Sequence, residues 1–126
     1  MDTGSTRKIG YRPDGTVRSE HWHWKGQEHR ASGPAEVYYS PDGTVSSEYW
    51  YFEGQGHRAG GPAVVLYRAD GTVESEEWYW EGQLHRAGGP AAVWYQPSGS
   101  IRSMSWYTKG TYPRGSTTSS SMTAVG

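Results

Sequence analysis

The sequence predicts an all-β fold of tandem antiparallel hairpins forming an elongated, twisted, single-layer meander. A unit of 28 residues recurs without insertions, and in each unit alternating apolar and polar residues flank a turn of the Asp-Gly type. No helical periodicity longer than a turn occurs anywhere in the chain. Units of this kind stack on their neighbours, so the sheet should grow by one hairpin after another.

The repeat divides nearly the whole chain. Three full units occupy residues 13–96 and begin PDGTVRSEHWHW, PDGTVSSEYWYF and ADGTVESEEWYW. Residues 1–12 form an N-terminal half-unit, residues 97–114 a degenerate last unit, and residues 115–126 a tail rich in Ser and Thr. A worn last unit followed by a polar tail is typical of the end of a repeat array.

Each unit should open with a hairpin whose turn is Pro-Asp-Gly or Ala-Asp-Gly. A type I turn with glycine in the left-handed conformation suits this sequence. In the strand that follows, Val73 has the opposite parity to Glu76 and Trp78, although all three positions recur between units. Either both sheet faces are covered, or a bulge near Ser75 and Glu76 switches the face. We favour the bulge, because a chain of 126 residues has little material for a second layer.

A second, shorter turn should follow at Gly26, Gly54 and Gly82, each of which is preceded by Lys or Glu. The segments HRASGPA and HRAGGPA come next. Proline cannot donate a hydrogen bond to a sheet, so it marks the start of the next strand or a kink at the sheet edge. Each unit is therefore expected to contain one long and one short hairpin.

Composition excludes several classes of function. The formal net charge of −1 provides no basic field for a nucleic-acid backbone or an anionic membrane. No apolar run approaches the ~18 residues of a spanning helix, and no signal-peptide core is visible, so we expect a virion or cytoplasmic location rather than secretion. The absence of cysteine removes disulfides, thiolate metal sites and cysteine nucleophiles. With 7 Trp and 10 Tyr but few aliphatic residues, the chain should fold around aromatic ladders.

The repeated motif resembles a known class. The pattern WYxxGxxHRxxGPAxxxYxxDGxxxSExWY is carried by Trp50-Tyr51, Gly54, His57-Arg58, Gly61-Pro62-Ala63, Tyr67, Asp70-Gly71, Ser75-Glu76 and Trp78-Tyr79. It resembles the variant MORN repeats of bacteria and the related repeats of phage and giant-virus proteins, over about residues 9–114. The resemblance implies chained antiparallel hairpins that serve as interaction surfaces. The HRxxGP segment is absent from shorter MORN units, so contacts of those units cannot be transferred.

Residues that recur at one position of every unit are expected to be structural, because a catalytic site usually occurs once in a chain. This set comprises Trp22, Trp50, Trp78, Trp106, His29, His57, His85, Arg30, Arg58, Arg86, Gly26, Gly54, Gly82, Glu20, Glu48 and Glu76. An arginine guanidinium lying over an indole ring, a contact of roughly 0.5–2 kcal/mol, is the expected use of Arg58 and Arg86. The glutamates are candidate charge partners for these arginines.

Catalytic, cofactor and metal sites are not expected. General acid–base catalysis needs an asymmetric pocket, whereas a repeat offers three nearly equal sites. His21 and His23 share a strand face and could act as an adventitious metal clip, but the second unit has tyrosine at both positions. The Gly-Gly-Pro segment is not a phosphate site, because no helix N-terminus follows it and no GxxxxGK[ST] motif is present.

A thin sheet with few aliphatic residues cannot hide both faces, and exposed aromatic patches mark contact surfaces. The candidate interaction surface consists of apolar residues at positions that vary between units, namely Tyr38, Tyr49, Leu66, Trp94 and Tyr112. We predict a non-enzymatic module for protein interaction or self-assembly, in its most concrete form a minor structural protein of a phage virion. The alternatives are a carbohydrate- or cell-wall-binding module and an antitoxin-like or regulatory binding protein. Neither a nucleic-acid nor a membrane partner is expected.

Overall fold

The computed structural model describes residues 6–109, and every helix or strand in this part of the chain is a β-strand. The strands are β1 (Thr6–Tyr11), β2 (Val17–Trp24), β3 (Gln27–Glu28), β4 (Glu36–Tyr39), β5 (Val45–Tyr49), β6 (Tyr51–Phe52), β7 (Gln55–Gly56), β8 (Val64–Tyr67), β9 (Val73–Glu77), β10 (Tyr79–Trp80), β11 (Gln83–Leu84), β12 (Ala92–Tyr95) and β13 (Ile101–Ser105). The tail after residue 109, including Tyr112, lies outside the described residues. Within the described range there is no helix that could cross a membrane.

The longer strands form one antiparallel sheet in the order β1-β2-β4-β5-β8-β9-β12-β13. The short strand β3 pairs with the end of β2, while β6–β7 and β10–β11 form separate small hairpins. The small hairpins also follow one another, because the Gly54 N–H donates to the Glu28 carbonyl and the Gly82 N–H to the Gly56 carbonyl, each at 2.9 Å. The predicted all-β meander of hairpins is confirmed.

The turns have the predicted geometry. Gly71 has a φ of +90°, and its N–H donates to the Arg68 carbonyl at 2.9 Å, which closes the turn. The Asp70 carboxylate accepts hydrogen bonds from the Thr72 hydroxyl at 2.6 Å and the Thr72 N–H at 2.9 Å. These two hydrogen bonds hold the pKa of Asp70 below its usual range. The first two units repeat the same contacts.

The predicted bulge is present in β9. Tyr67 pairs with Val73 and Leu66 pairs with Ser75, so Glu74 is the extra residue. The same register shift recurs in the other long hairpins. The bulge places Val73 on the face that also carries Glu76. It therefore explains how both residues can face the same side although strict alternation would put them on opposite sides. The bulge thus lies at Glu74, next to Ser75 and Glu76, where the sequence predicted it, and Ser75 keeps its place in the ladder opposite Leu66.

A row of small side chains forms the core on one face of the sheet. Its members are Ala35, Ala63 and Ala91, which are 0% exposed, and Val37, Val65 and Val93, which are at most 5% exposed. In the sheet register Val65 lies between Glu48 and Glu76, so a carboxylate flanks each core valine. These carboxylates accept hydrogen bonds from the hydroxyl of the tyrosine near the end of the same unit. The pairs are Tyr39–Glu20 at 2.7 Å, Tyr67–Glu48 at 3.1 Å and Tyr95–Glu76 at 2.7 Å. The expectation that arginines of the HR segment would be the partners of Glu48 and Glu76 is thereby corrected.

These contacts predict a loss of stability at alkaline pH. Burial raises the pKa of Tyr39 to about 12, and the hydrogen bond to Glu20 and its charge add to the effect; Tyr95 and Glu76 behave alike. Because the unfolded chain loses these protons first, near pH 10, the stabilisation is complete below that pH and disappears by about pH 12. A tyrosinate absorbance titration of the folded protein should therefore show a late step that is smaller by two tyrosines in the Tyr39→Phe/Tyr95→Phe variant. In that variant Tyr38, whose pKa burial also raises to about 12, still loses its proton late. Ionisation of all tyrosines in one step near pH 10 would contradict this expectation.

Candidate functional site

The HR and Gly-Gly-Pro segments of each unit surround an arginine that lies flat on tryptophan. The Arg58 Cζ atom is 3.9 Å from the centre of the Trp50 ring, and Arg58 Nη1 donates to the Pro62 carbonyl at 3.0 Å. A Cβ atom at Gly61 would lie 2.9 Å from Arg58 Cζ, so glycine is needed there to make room for the guanidinium. The first and third units contain the same stack, Arg30 on Trp22 and Arg86 on Trp78, also at 3.9 Å. The segment is thus explained by packing, as the repeat predicted.

The repeated histidine joins each unit to the next. In each case its Nδ1 atom accepts a hydrogen bond from the backbone N–H of the residue 24 positions later. The pairs are His29–Glu53 at 2.8 Å, His57–Glu81 at 3.1 Å and His85–Lys109 at 2.9 Å. The donor residues have a φ of 50–51°, a left-handed conformation that side chains other than glycine seldom adopt. The histidine therefore holds a strained turn of the following unit in place.

The same histidines belong to a ladder of rings along the small hairpins. Neighbouring ring centres are 5.0 Å apart for Trp24–His29, 4.4 Å for His29–Phe52, 6.0 Å for Phe52–His57 and 4.0 Å for His57–Trp80. Phe52 and Trp80 are about two-fifths exposed. Sequence reasoning did not single out these aromatic members. Their common position, just before the short turn of each unit, was the available signal.

The opposite sheet face carries most of the predicted interaction surface. Direct cross-strand pairing places Tyr38, Ser47, Leu66, Ser75 and Trp94 in one row, in that order. Large side chains therefore occupy alternate strands, roughly 10 Å apart, and the serines between them are buried. Tyr49 also lies on this face and meets Tyr38 edge to face, with ring centres 5.8 Å apart.

A groove of about 400 Å³ opens on this face beside Leu66 and Trp94. Tyr49, Tyr51 and Tyr79 contribute aromatic walls, and Glu77 contributes a carboxylate. The Tyr79 hydroxyl donates to Glu77 at 3.3 Å. Burial raises the pKa of Tyr79, and the neighbouring charge of Glu77 raises it further. The groove thus combines flat apolar surfaces with one anionic group.

The structure brings together Tyr49, Leu66 and Trp94 in this groove, with Tyr38 beside it. Tyr51, Tyr79 and Glu77 were missed as site residues. Tyr51 and Tyr79 occupy one repeat position, which is tyrosine again at Tyr107, and this position was therefore read as part of the repeat. Their parity with Tyr49 was the signal that could have found them.

His21 and His23 lie on one strand face as expected, with stacked rings 6.2 Å apart. Two acidic side chains from other strands lie close to His21. Among the described residues, His21, Glu28 and Glu36 form a group whose potential ligand atoms all lie within 4.8 Å of one another. The sequence pattern suggested His21 and His23 as a metal clip and did not indicate the combination of His21 with Glu28 and Glu36.

No family model, curated protein or solved structure matches the chain. The resemblance to variant MORN repeats thus stays a prediction from the residues. A function has to be argued from the surfaces that the repeat leaves exposed.

Proposed function

We propose that this chain is a non-enzymatic binding module whose aromatic groove holds a segment of a protein partner. The proposal is supported chiefly by the groove of about 400 Å³ between Tyr49, Tyr79, Leu66 and Trp94. The other sheet face is occupied by the chain's own packing, because the Ala and Val row and the Trp-Arg stacks lie there. The groove face has no comparable cover within residues 6–109, and Trp94 remains 40% exposed.

The groove chemistry indicates the kind of segment that would bind. Aromatic side chains supply large, rigid contact area and are enriched at the energetic centres of protein interfaces. The carboxylate of Glu77 stands at the groove wall, so a partner segment that places an apolar side chain near Trp94 and a basic one near Glu77 would be complementary. In its most concrete form, which rests on the MORN-like resemblance, the module is a minor structural protein of a phage particle.

Removing the groove aromatics should weaken the complex without unfolding the chain. We expect the Tyr49→Glu/Trp94→Ser variant to bind the partner at least ~30-fold more weakly, because truncating a central aromatic residue typically costs about 2 kcal/mol or more. Glutamate occurs naturally at the equivalent of position 49 in the third unit, so the sheet should tolerate it.

The measurement begins with affinity capture from the source cells, followed by titration of each recovered protein in purified form. The matched control is Tyr11→Ser, which removes an aromatic side chain that is 59% exposed at the sheet edge, away from the groove. Equal affinities for the wild type and the groove variant would overturn the proposal, as would equal losses in both variants.

A carbohydrate ligand is the second candidate. It is favoured by one observation, the exposed indole of Trp94 beside a carboxylate and tyrosine hydroxyls, since sugars stack on aromatic rings and hydrogen-bond to such groups. Sedimentation with purified cell-wall polysaccharide and quenching of tryptophan fluorescence by soluble fragments distinguish it from a protein partner. Saturable quenching that Trp94→Ser abolishes would replace the protein proposal with this one.

A further inference from the structure

The first unit departs from the other two at three positions that meet in space. Where the first unit has His21, Glu28 and Glu36, the second has Tyr49, Gly56 and Val64, and the third has Glu77, Leu84 and Ala92. In the later units most of these positions line the aromatic groove. The same place in the first unit is therefore a cluster of nitrogen and oxygen ligands instead of an apolar floor.

Three strands assemble the cluster. His21 on β2 pairs directly with Glu36 on β4, and β3 brings Glu28 alongside through its pairing with His23. His21 Nδ1 lies 3.9 Å from Glu28 Oε2, and the potential ligand atoms of the three side chains all lie within 4.8 Å of one another. All three residues are half-buried and belong to strands, which limits their movement.

We propose that His21, Glu28 and Glu36 bind a divalent transition-metal ion of the zinc class. One imidazole nitrogen and two carboxylate oxygens are ligands that zinc accepts, and a site with three protein ligands keeps a coordination position for water or for a donor from a partner. A divalent ion would also relieve the repulsion between two carboxylates held so close together. The inference does not depend on what occupies the aromatic groove.

The neighbouring groups are consistent with this assignment. The Tyr38 hydroxyl donates to Glu36 Oε1 at 2.9 Å, which is the kind of outer hydrogen bond that orients a ligating carboxylate. Ligand atoms around a tetrahedral ion lie roughly 3.4 Å apart, so binding requires the side chains to close by about an ångström. Lys8, the cross-strand neighbour of His21 on β1, brings a cation to this face, but the residue is exposed.

The test is calorimetric titration of the whole chain with Zn²⁺, together with the visible absorption of the Co²⁺ form. We expect one ion per chain and a Co²⁺ spectrum that indicates nitrogen and oxygen ligands. His21→Tyr and Glu36→Val introduce the residues of the second unit and should each weaken binding at least ~10-fold without loss of fold. Glu36→Gln serves as a second variant, because it removes the charge while keeping the size of the side chain.

The matched control is His23→Tyr, which introduces the residue of the other two units at a position outside the cluster. It should leave the affinity for Zn²⁺ within about threefold of the wild type. The proposal is overturned if the wild type shows no saturable binding, if the His21 and Glu36 variants bind as tightly as the wild type, or if His23→Tyr loses as much affinity as His21→Tyr. The last result would assign the ion to the two histidines instead.

Discussion

Replacing Trp50 with alanine is expected to lower the free energy of unfolding by about 3–5 kcal/mol. The ring is the platform for Arg58, whose guanidinium lies 3.9 Å above it and is clamped on the other side by Gly61 and the Pro62 carbonyl. Without the ring the guanidinium has no surface to lie on, and the segment leading to the core residue Ala63 loses its support. Because the unit is internal, the loss should also weaken its contacts with both neighbours. Trp78 has the same surroundings and should behave alike.

Two matched variants separate the effect of losing the ring from the effect of the unit's position in the array. Trp50→Phe keeps an aromatic platform and removes an indole N–H that is buried and has no hydrogen-bond partner among the described residues, so it should cost less than about 1.5 kcal/mol. Trp106→Ala lies in the worn last unit, where the side chain is 36% exposed, and should cost less than Trp50→Ala. Urea denaturation of the four variants, Trp50→Phe and the alanine variants of Trp50, Trp78 and Trp106, measures these differences. Equal losses at Trp50, Trp78 and Trp106 would contradict the stacked-repeat description.

The hairpin order could be predicted from the sequence because both of its causes are local. Glycine after Asp70 fixes a left-handed turn, and the alternation around Val65 fixes which side of the strand faces the core. The 28-residue period then repeats the result along the chain. The partners of the glutamates could not be predicted in the same way. The Tyr95–Glu76 hydrogen bond joins residues 19 positions apart, and it depends on a register that the bulge at Glu74 alters.

The candidate surfaces, like the fold, could be predicted from the sequence only in part. Positions that vary between units predicted Tyr38, Leu66 and Trp94, and these residues share a face because they occupy equivalent places on alternate strands of the sheet. Variation between units could not reveal Tyr79, because tyrosine recurs at this repeat position although the side chain lines the groove. At His21 the departure from the repeat was taken as a reason against a site. A residue with a structural role is expected to recur in every unit, whereas a residue with a binding role can occur in one unit alone. The cross-strand register shows where several such single-unit residues come together.

Replacing His57 with alanine is the second large effect that we expect, a loss of roughly 1–3 kcal/mol of unfolding free energy. The imidazole accepts the N–H of Glu81 at 3.1 Å, and its ring lies 4.0 Å from that of Trp80. Both partners belong to the next unit, so the substitution mainly removes contacts between units. Within its own unit it removes the more distant ring contact with Phe52, at 6.0 Å, and no backbone pairing. The left-handed turn at Glu81, with a φ of 50°, then lacks the acceptor that held it.

The expected effect of His57→Ala is a loss of cooperativity between neighbouring units. In a repeat array the interface terms make the units unfold together, so His57→Ala should lower the urea m-value as well as the midpoint, whereas a defect within one unit lowers the midpoint first. His57→Asn places an oxygen near the former Nδ1 position and should restore part of the hydrogen bond, but not the ring contact with Trp80. Glu81→Gly in the His57→Ala background should recover further stability, since glycine adopts the turn without strain. If His57→Ala unfolds like the wild type, the histidine does not join the units, and its recurrence would have to reflect binding instead.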